Sequence, residues 1–476
     1  MHRTDRSGPG TGLRAGLSDS GAGFRTNRPA VQRKGRQGLK GHSDGLLSEF
    51  RSREVTQSRR LIIVGNGGAA VHAVRAARAA GHQGPIHMIS DAAGPAFNPM
   101  LAPYFLAGKI PFEACFPFGK DFYEDHHVTC DFGVPVAALD ALNREICLGN
   151  NKRIFYDRCL VATGASPILP KIPGLRHSPR IFSLRTPRDT IRLHATLARA
   201  KKALILGASM IGIKLAQILM DHGMTVTIAE VAERVLSSAA HPVCSSFLAR
   251  KIREKSVDLR LGCTLDHIDE GAGKLACHFT DDRSLETDLC LVAAGVHANT
   301  GFLDPCQVAL DEGILVNERL ESSAPGLYAA GDVSQGPNPV SGGKKLIGLW
   351  DNACCQGRTA GANMAGDDTL YLGTIPHHVS TFFGVTFLHL GDVHRRGDHV
   401  RILTNRTSVD GTFHVLVFDR AVLVGVNSLN AVQNAGMLKS AIMQKLHWSD
   451  DLNLPLENPT QTQIERILTS LRTPRF

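Results

Sequence analysis

The strongest constraint on this chain is a pattern that occurs twice: apolar run, glycine-rich turn, helical stretch, apolar run. The first copy is RLIIVGNGGAAVHAVRAARAAGHQGPIHMISD, residues 60–91. Leu61–Val64 is apolar throughout, as a strand buried on both faces of a parallel sheet must be. Gly65-Asn66-Gly67 makes the turn, an Ala-rich helix ends near Gly81, and Ile86–Ile89 returns as a strand closed by Asp91. The turn reads G-x-G-x-x-A at 65, 67 and 70. Gly65 permits the tight turn, Gly67 lets the backbone approach a diphosphate, and Ala70 keeps helix and strand close. Gly68 and Ala69 open the helix, whose free N–H groups and dipole attract the anion. Asp91 is placed to bind a ribose hydroxyl, and Ser90 is nearly as well placed. Strand, turn, helix, strand and acid in this order predict a dinucleotide site, with a ligand-free crossover as the competing reading.

The second copy is KKALILGASMIGIKLAQILMDHGMTVTIAE, residues 201–230. Ala203–Leu206 is the strand, and Gly207-Ala208-Ser209-Met210-Ile211-Gly212 is the loop. A helix to about Gly223 and a strand over Thr225–Ala229 follow, with Glu230 at the tip. Ser209 stands where the middle glycine is expected, so its Cβ should crowd the diphosphate and weaken binding. A decayed site is the alternative. Glu230 points to NAD, because a carboxylate accepts from a ribose 2′-OH and repels a 2′-phosphate. Two such units about 140 residues apart imply two dinucleotides in one chain.

The formal charge of +9 raises nucleic acid as a partner. Its distribution argues against that. Residues 1–60 hold 13 Lys/Arg against 5 Asp/Glu, whereas the other 416 residues hold 40 against 39. The basic segment, rich in Gly, Arg and Ser, is expected to be a disordered N-terminal extension over 1–59. An over-extended start, a transit-like presequence and a polyanion-binding arm remain open for it. No run reaches the length of a membrane span. The eleven cysteines are odd in number, irregularly spaced and without a CxxC. They are expected to be reduced thiols in a cytoplasmic protein. Cys354 and Cys355 are adjacent, and two small buried helix residues is the favoured reading over a strained disulfide. The 21 histidines show no zinc-like spacing with cysteine, so no metal site is expected.

Five motifs in order resemble the pyridine nucleotide–disulfide oxidoreductase superfamily. They are VGNGGAA (64–70), YDRCLVATGASP (156–167), LGASMIG (206–212), DLCLVAAGVHANT (288–300) and GLYAAGDVSQGP (326–337). Within it, the chain is most similar to the rubredoxin reductase, nitrite reductase flavin-domain and NADH oxidase branch. The resemblance implies an α/β fold with two Rossmann-like domains, an NAD domain being inserted in an FAD domain, plus a small α+β C-terminal domain. The implied boundaries are 60–170 with 297–368 for FAD, 171–296 for NAD, and 369–476 for an interface or dimerisation domain. It also implies that Gly65, Gly67 and their neighbours hold FAD, that Ala162-Thr163-Gly164 ends a strand near it, and that Gly295 ends the return crossing. Gly331-Asp332 would end a short strand, with Asp332 bonding the FAD ribityl chain. The segment from Leu346 to Gly366 would be a helix aimed at the flavin, with Trp350 lining it or packing structurally.

In relatives, FNPMLAPYF (97–105) runs beside the flavin ring, and a cysteine stands about where Met100 falls. An arginine of several relatives is replaced by Pro99. Met100 forms no thiolate, and Cys115 lies beyond the motif, so thiol chemistry at the flavin is not expected. Met100 as simple core packing is the bland alternative. Hydride should pass between NADH and FAD, and electrons should leave to an external acceptor, an iron–sulfur protein or partner subunit. A stand-alone NADH oxidase or quinone or dye reductase, and a redox sensor resembling apoptosis-inducing factor, are the alternatives. From Tyr371 the chain reads as alternating strands, then a helix over about Ala431–Leu446 and a tail from Asp451. The resemblance implies that this domain often packs against a partner subunit, which makes a homodimer one possible arrangement.

Overall fold

The computed structural model describes residues 59–271, 273–406, 411–448 and 461–470. The expected basic extension lies outside the described residues apart from Arg59. The expected tail lies outside them apart from a helix at Gln461–Ser470.

Both expected nucleotide units are parallel sheets. In the first, Leu61–Val64 lies at the centre between Ile86–Ser90 and Arg158–Val161. Val128–Phe132 and Leu327–Ala329 form the two edges. The last of these strands returns from about 160 residues further along the chain, so this layer is discontinuous in sequence. In register, Val64 pairs with Ile89 and with Val161, and Val161 with Ala329. The carboxyl ends of these strands therefore align. The segments that follow them, at Gly65, Ala162 and Ala330, leave from one edge. In open parallel sheets that edge is where ligands bind.

The second sheet repeats the plan. Lys202–Leu206 is central, between Thr225–Glu230 and Leu289–Val292, with Asp258–Leu261 and Ile181–Phe182 outside. Leu206 pairs with Ala229 and Val292, so Gly207, Glu230 and Ala293 gather at one edge. Antiparallel strands Ala165–Pro167 and Val296–Ala298 link the two units. No helix among the described residues is long and apolar enough to cross a membrane.

The C-terminal sheet is antiparallel, ordered His377–Phe382, Val385–Gly391, Val422–Leu429, Phe413–Asp419, Val400–Arg406. Its alternating residues face two ways. Phe387, Val415, Val417 and Leu429 share a core with Ile213, Leu219 and Leu248 of the second unit. Leu388, Leu416 and Val426 pack on Leu438, Ile442 and Trp448. Asn427, fully buried, fastens the first contact: its Oδ1 accepts from His241 N at 2.7 Å and its Nδ2 donates to Ala239 O at 3.1 Å. Both faces thus pack against other parts of this chain. The following helix is shorter than expected, Ala435–Met443. Lys445 at φ +53° turns the chain, and Trp448 N then bonds Ala421 O at 2.8 Å, which draws the segment back to the sheet.

Candidate functional site

The first glycine-rich turn leads into helix α1, Gly68–Ala79. Gly65 has φ +113°, and a Cβ there would meet Ala162 O at 2.2 Å, so neither conformation nor space admits a side chain. Gly67 is different. It is extended, and a Cβ on it would meet nothing within 4 Å. The space beside Gly67 is open, as close approach of a diphosphate requires. Gly67 supplies no side-chain cap, and the first turn of α1 carries no acid. Its leading N–H groups and positive dipole end therefore face that opening with no counter-charge from the helix itself.

A second helix, α3, Trp350–Ala365, lies alongside α1. Cβ atoms added at Gly357 and Gly361 would sit 2.1 Å from Ala69 O and 2.2 Å from Ala73 O. The contacts advance in the same direction along both helices, so they run parallel. At their leading ends, a Cβ on Gly68 would meet the Trp350 ring and Cys354 Sγ at 3.2 Å. Two helix N-termini thus converge on one edge of the sheet. Gly331, φ +84°, is wedged there: its Cβ would lie 3.3 Å from Ala69 Cβ and 3.5 Å from Ala353 Cβ. Gln356 Oε1 accepts from Gly331 N at 2.7 Å and from Ser334 Oγ at 2.9 Å, fixing this turn. Asp332 follows, with its carboxylate beside Gly348, where a Cβ would approach Asp332 Cγ to 3.4 Å. The open turn at Gly67, the two N-termini and this carboxylate fit the diphosphate and polyol of FAD in kind: donors for the anion, an acceptor for hydroxyls.

The third approach to this edge is Ala162-Thr163-Gly164. Thr163 Oγ1 donates to Asn299 O at 2.8 Å, and Asn299 Nδ2 donates to Thr163 O at 2.9 Å, tying the outgoing and returning links together. Asp91 is exposed just past its strand, whereas Ser90 is buried and its Oγ accepts from Ala92 N. Gly295, φ +106°, accepts from Ile168 N across the link.

In the second loop, helix α2 spans Met210–Asp221. Gly207 and Gly212 have no room for a side chain, since their Cβ atoms would meet Ala293 O at 2.5 Å and Gly207 O at 2.1 Å. Ser209 bears on the loop through its hydroxyl as well as its Cβ. It is the N-cap of α2: its Oγ accepts from Gly212 N at 3.3 Å and donates to Ala293 O at 3.0 Å. The hydroxyl is turned into the fold and occupies one of the donors that α1 leaves open. Glu230 stands at the strand tip with Oε2 accepting from Ala208 N at 2.7 Å and Oε1 from Ala232 N at 2.8 Å. It therefore braces the loop as well as presenting its charge. Met210 is half-buried and Ile211 exposed at the mouth of α2.

Three further corrections concern sulfur. Met100 is 58% exposed, so it is not core packing. Cys115, distant in sequence from that motif, lies beside it: its carbonyl accepts from Asn98 N at 2.8 Å. Its side chain is buried, and desolvation with Glu113 nearby pushes the thiol up from its ordinary value, away from the reactive thiolate. Of the adjacent pair, Cys354 is buried but Cys355 is exposed, with Arg358 Nη2 donating to its sulfur.

Sequence reasoning missed three groups. Arg185 donates to Asp332 Oδ2 at 2.7 Å, from 147 residues away. Tyr123 donates to Asn66 Oδ1 at 2.7 Å and accepts from Ala96 N, holding the segment 94–98 against the first turn. His377 Nε2 lies 2.9 Å from Asp351 Oδ2, near the start of α3, with Lys439 Nζ 3.1 Å from the same nitrogen. No local pattern marks such long-range pairs. The x of G-x-G was the one available signal, since a polar Asn66 there asks for a partner.

The model of the pyridine nucleotide-disulphide oxidoreductase family matches residues 59–357. The chain is 29% identical over 391 residues to NADH-dependent phenylglyoxylate dehydrogenase subunit epsilon of Aromatoleum evansii, covering 81% of this chain and 92% of that protein. It is 28% identical over 373 residues to rhodocoxin reductase of Rhodococcus erythropolis, covering 78% and 86%. Among solved structures, the covalent putidaredoxin reductase–putidaredoxin complex superposes with a TM-score of 0.77 at 23% identity, over 87% of this chain and 99% of that one.

Proposed function

The chain belongs to the pyridine nucleotide-disulphide oxidoreductase family, and from that premise we propose that it takes hydride from NADH onto FAD and delivers electrons directly to a separate iron–sulfur protein or subunit. FAD, when bound, supplies the hydride chemistry and can pass its electrons on singly. The protein supplies position and field. The turn at Gly65–Gly67 and the uncapped start of α1, with Gly68, Ala69 and Ala70, hold the FAD diphosphate. Asp332 accepts from the ribityl hydroxyls, sharing its carboxylate with Arg185. The start of α3, with Trp350, would help to hold the flavin, and the positive end of that helix would favour negative charge on it. The loop Gly207–Gly212 takes the NADH diphosphate, and Glu230 takes the ribose and rejects a 2′-phosphate.

One observation supports the direct route: Met100 of the FNPM segment is a thioether that forms no thiolate, and neighbouring Cys115 is buried, which pushes its thiol up from the ordinary value and disfavours a thiolate relay. The sequence relatives support a protein acceptor, since rhodocoxin reductase is named for one and the dehydrogenase protein is a subunit of a larger enzyme. The oxidase and redox-sensing readings are not favoured. All eleven cysteines are free, which supports a reducing compartment such as the cytoplasm.

The test is to reduce the flavoprotein with NADH and mix it rapidly with a [2Fe–2S] ferredoxin or with dissolved dioxygen. Flavin reoxidation should be much faster with the iron–sulfur protein. Equal or faster reoxidation by dioxygen would replace this reading with an oxidase.

A further inference from the structure

A second site of chemistry stands on a three-stranded antiparallel sheet made by Leu265–Gly271, Lys274–Phe279 and Ser284–Thr287. It contributes no residue to either nucleotide loop. Its inner face carries Ile268, Leu275 and Cys277, all buried. Alternation then places His267 and Asp269 on the outer face of one strand. The register sets His278 directly opposite His267. The two imidazoles stack, centroids 4.3 Å apart and planes within 10°. Their Nε2 atoms both face one carboxylate oxygen: Asp269 Oδ2 is 3.7 Å from His267 Nε2 and 3.5 Å from His278 Nε2.

His267 Nδ1 lies 2.8 Å from Asp266 Oδ2. A carboxylate bonded to one ring nitrogen is the arrangement that orients metal-bound histidines and leaves the other nitrogen to the ion.

We propose that His267, Asp269 and His278 bind a divalent transition-metal ion of borderline softness, Zn²⁺ being the representative case. All three donor atoms lie within 4.8 Å of one another. With Zn–N and Zn–O near 2.0–2.2 Å, tetrahedral donors sit roughly 3.3–3.5 Å apart, so the two nitrogen–oxygen spacings of 3.7 and 3.5 Å need adjustments of a few tenths of an ångström at most, and closing the two imidazoles on one ion needs a rotation of the rings. Two nitrogens among three donors favour zinc, nickel or copper over calcium or magnesium. The exposed side of Asp269 leaves the remaining position to water. The expectation of no metal site came from looking for histidine near cysteine in sequence; the pairing across a hairpin was invisible to it.

The test is a calorimetric titration of Zn²⁺ into chelator-stripped, FAD-loaded full-length protein, compared with H267A/H278A. Thiols and histidines elsewhere are common to both and cancel in the difference. The wild type should bind one more Zn²⁺ per chain than the double variant, and D269N should weaken that site by about tenfold or more. Retained flavin absorbance checks that each variant is folded. H278Q provides a second imidazole deletion in case the double variant does not fold. Equal stoichiometry and affinity in wild type and folded variants would overturn the proposal, as would a wild type that binds no zinc.

Discussion

At the scale of single residues, Ser209 and Gly67 occupy the same place in two copies of one motif and do opposite things. Gly67 leaves the helix start open, whereas Ser209 closes part of it with its own hydroxyl. Replacing Ser209 by Gly removes a cap at a cost of only a few tenths of a kcal/mol and frees Gly212 N–H for a diphosphate. S209G should therefore tighten NADH by about two- to tenfold, the worth of part of one charge-assisted hydrogen bond. Fluorescence titration with NADH reads it, and weaker binding would mean that the hydroxyl itself is a ligand. Glu230 makes the converse case. E230Q should weaken NADH by about tenfold or more and narrow its advantage over NADPH, because a charged acceptor is lost; steady-state KM values for both nucleotides report it. The two glycine fingerprints and Glu230 were legible because their demands are local. Arg185 and Tyr123 were not, because their partners lie 147 and 57 residues away.

At the scale of elements, the site depends on α1 and α3 running parallel with their starts together. Gly357 and Gly361 set that distance. G361A would press a methyl 2.2 Å from Ala73 O, where backbone must move. Overpacking of this kind costs about 1–3 kcal/mol, and urea unfolding should show it together with easier loss of flavin. Wild-type stability in G361A would show that the helices have slack. The start of α3 adds a pH effect. His377, hydrogen-bonded to Asp351, holds the Asp351 carboxyl down at about 2 against its ordinary 3.8. A carboxylate lowered on folding stabilises above its unfolded value and loses that contribution as pH falls through its folded one. D351N should thus lower the melting temperature above about pH 4, and the difference should shrink towards pH 2. A gap that persists at pH 2 would assign the effect to something other than ionisation. Sequence placed this helix from Leu346; it begins at Trp350 because Lys344–Leu346 pairs as a strand with Ser334–Pro337. Tertiary pairing decided that boundary, and no local pattern announces it.

At the scale of the molecule, three five-stranded sheets are joined into one frame, and the C-terminal sheet is a structural neighbour of the second nucleotide unit. Fold class and the order of layers were legible, since buried parallel strands and alternating antiparallel ones differ in their apolar patterns. How the last sheet packs was not, because its inward residues look alike whether they cover this chain or another. Asn427 is the informative residue. N427A strips His241 N and Ala239 O of their partner inside that contact and should cost about 1–3 kcal/mol, measurable as a shift in the denaturation midpoint. No change would place the Asn427 contacts in water.

The most direct test of the central claim is an anaerobic titration of the purified flavoprotein with NADH, followed by absorbance. Full bleaching at one NADH per flavin, without a long-wavelength thiolate band, is the result that the proposed direct route predicts, since in it hydride passes to the flavin with no thiol sharing the electrons. A second equivalent consumed with such a band would put a reactive cysteine at the flavin, and a flavin that NADH leaves oxidised would contradict the assignment outright.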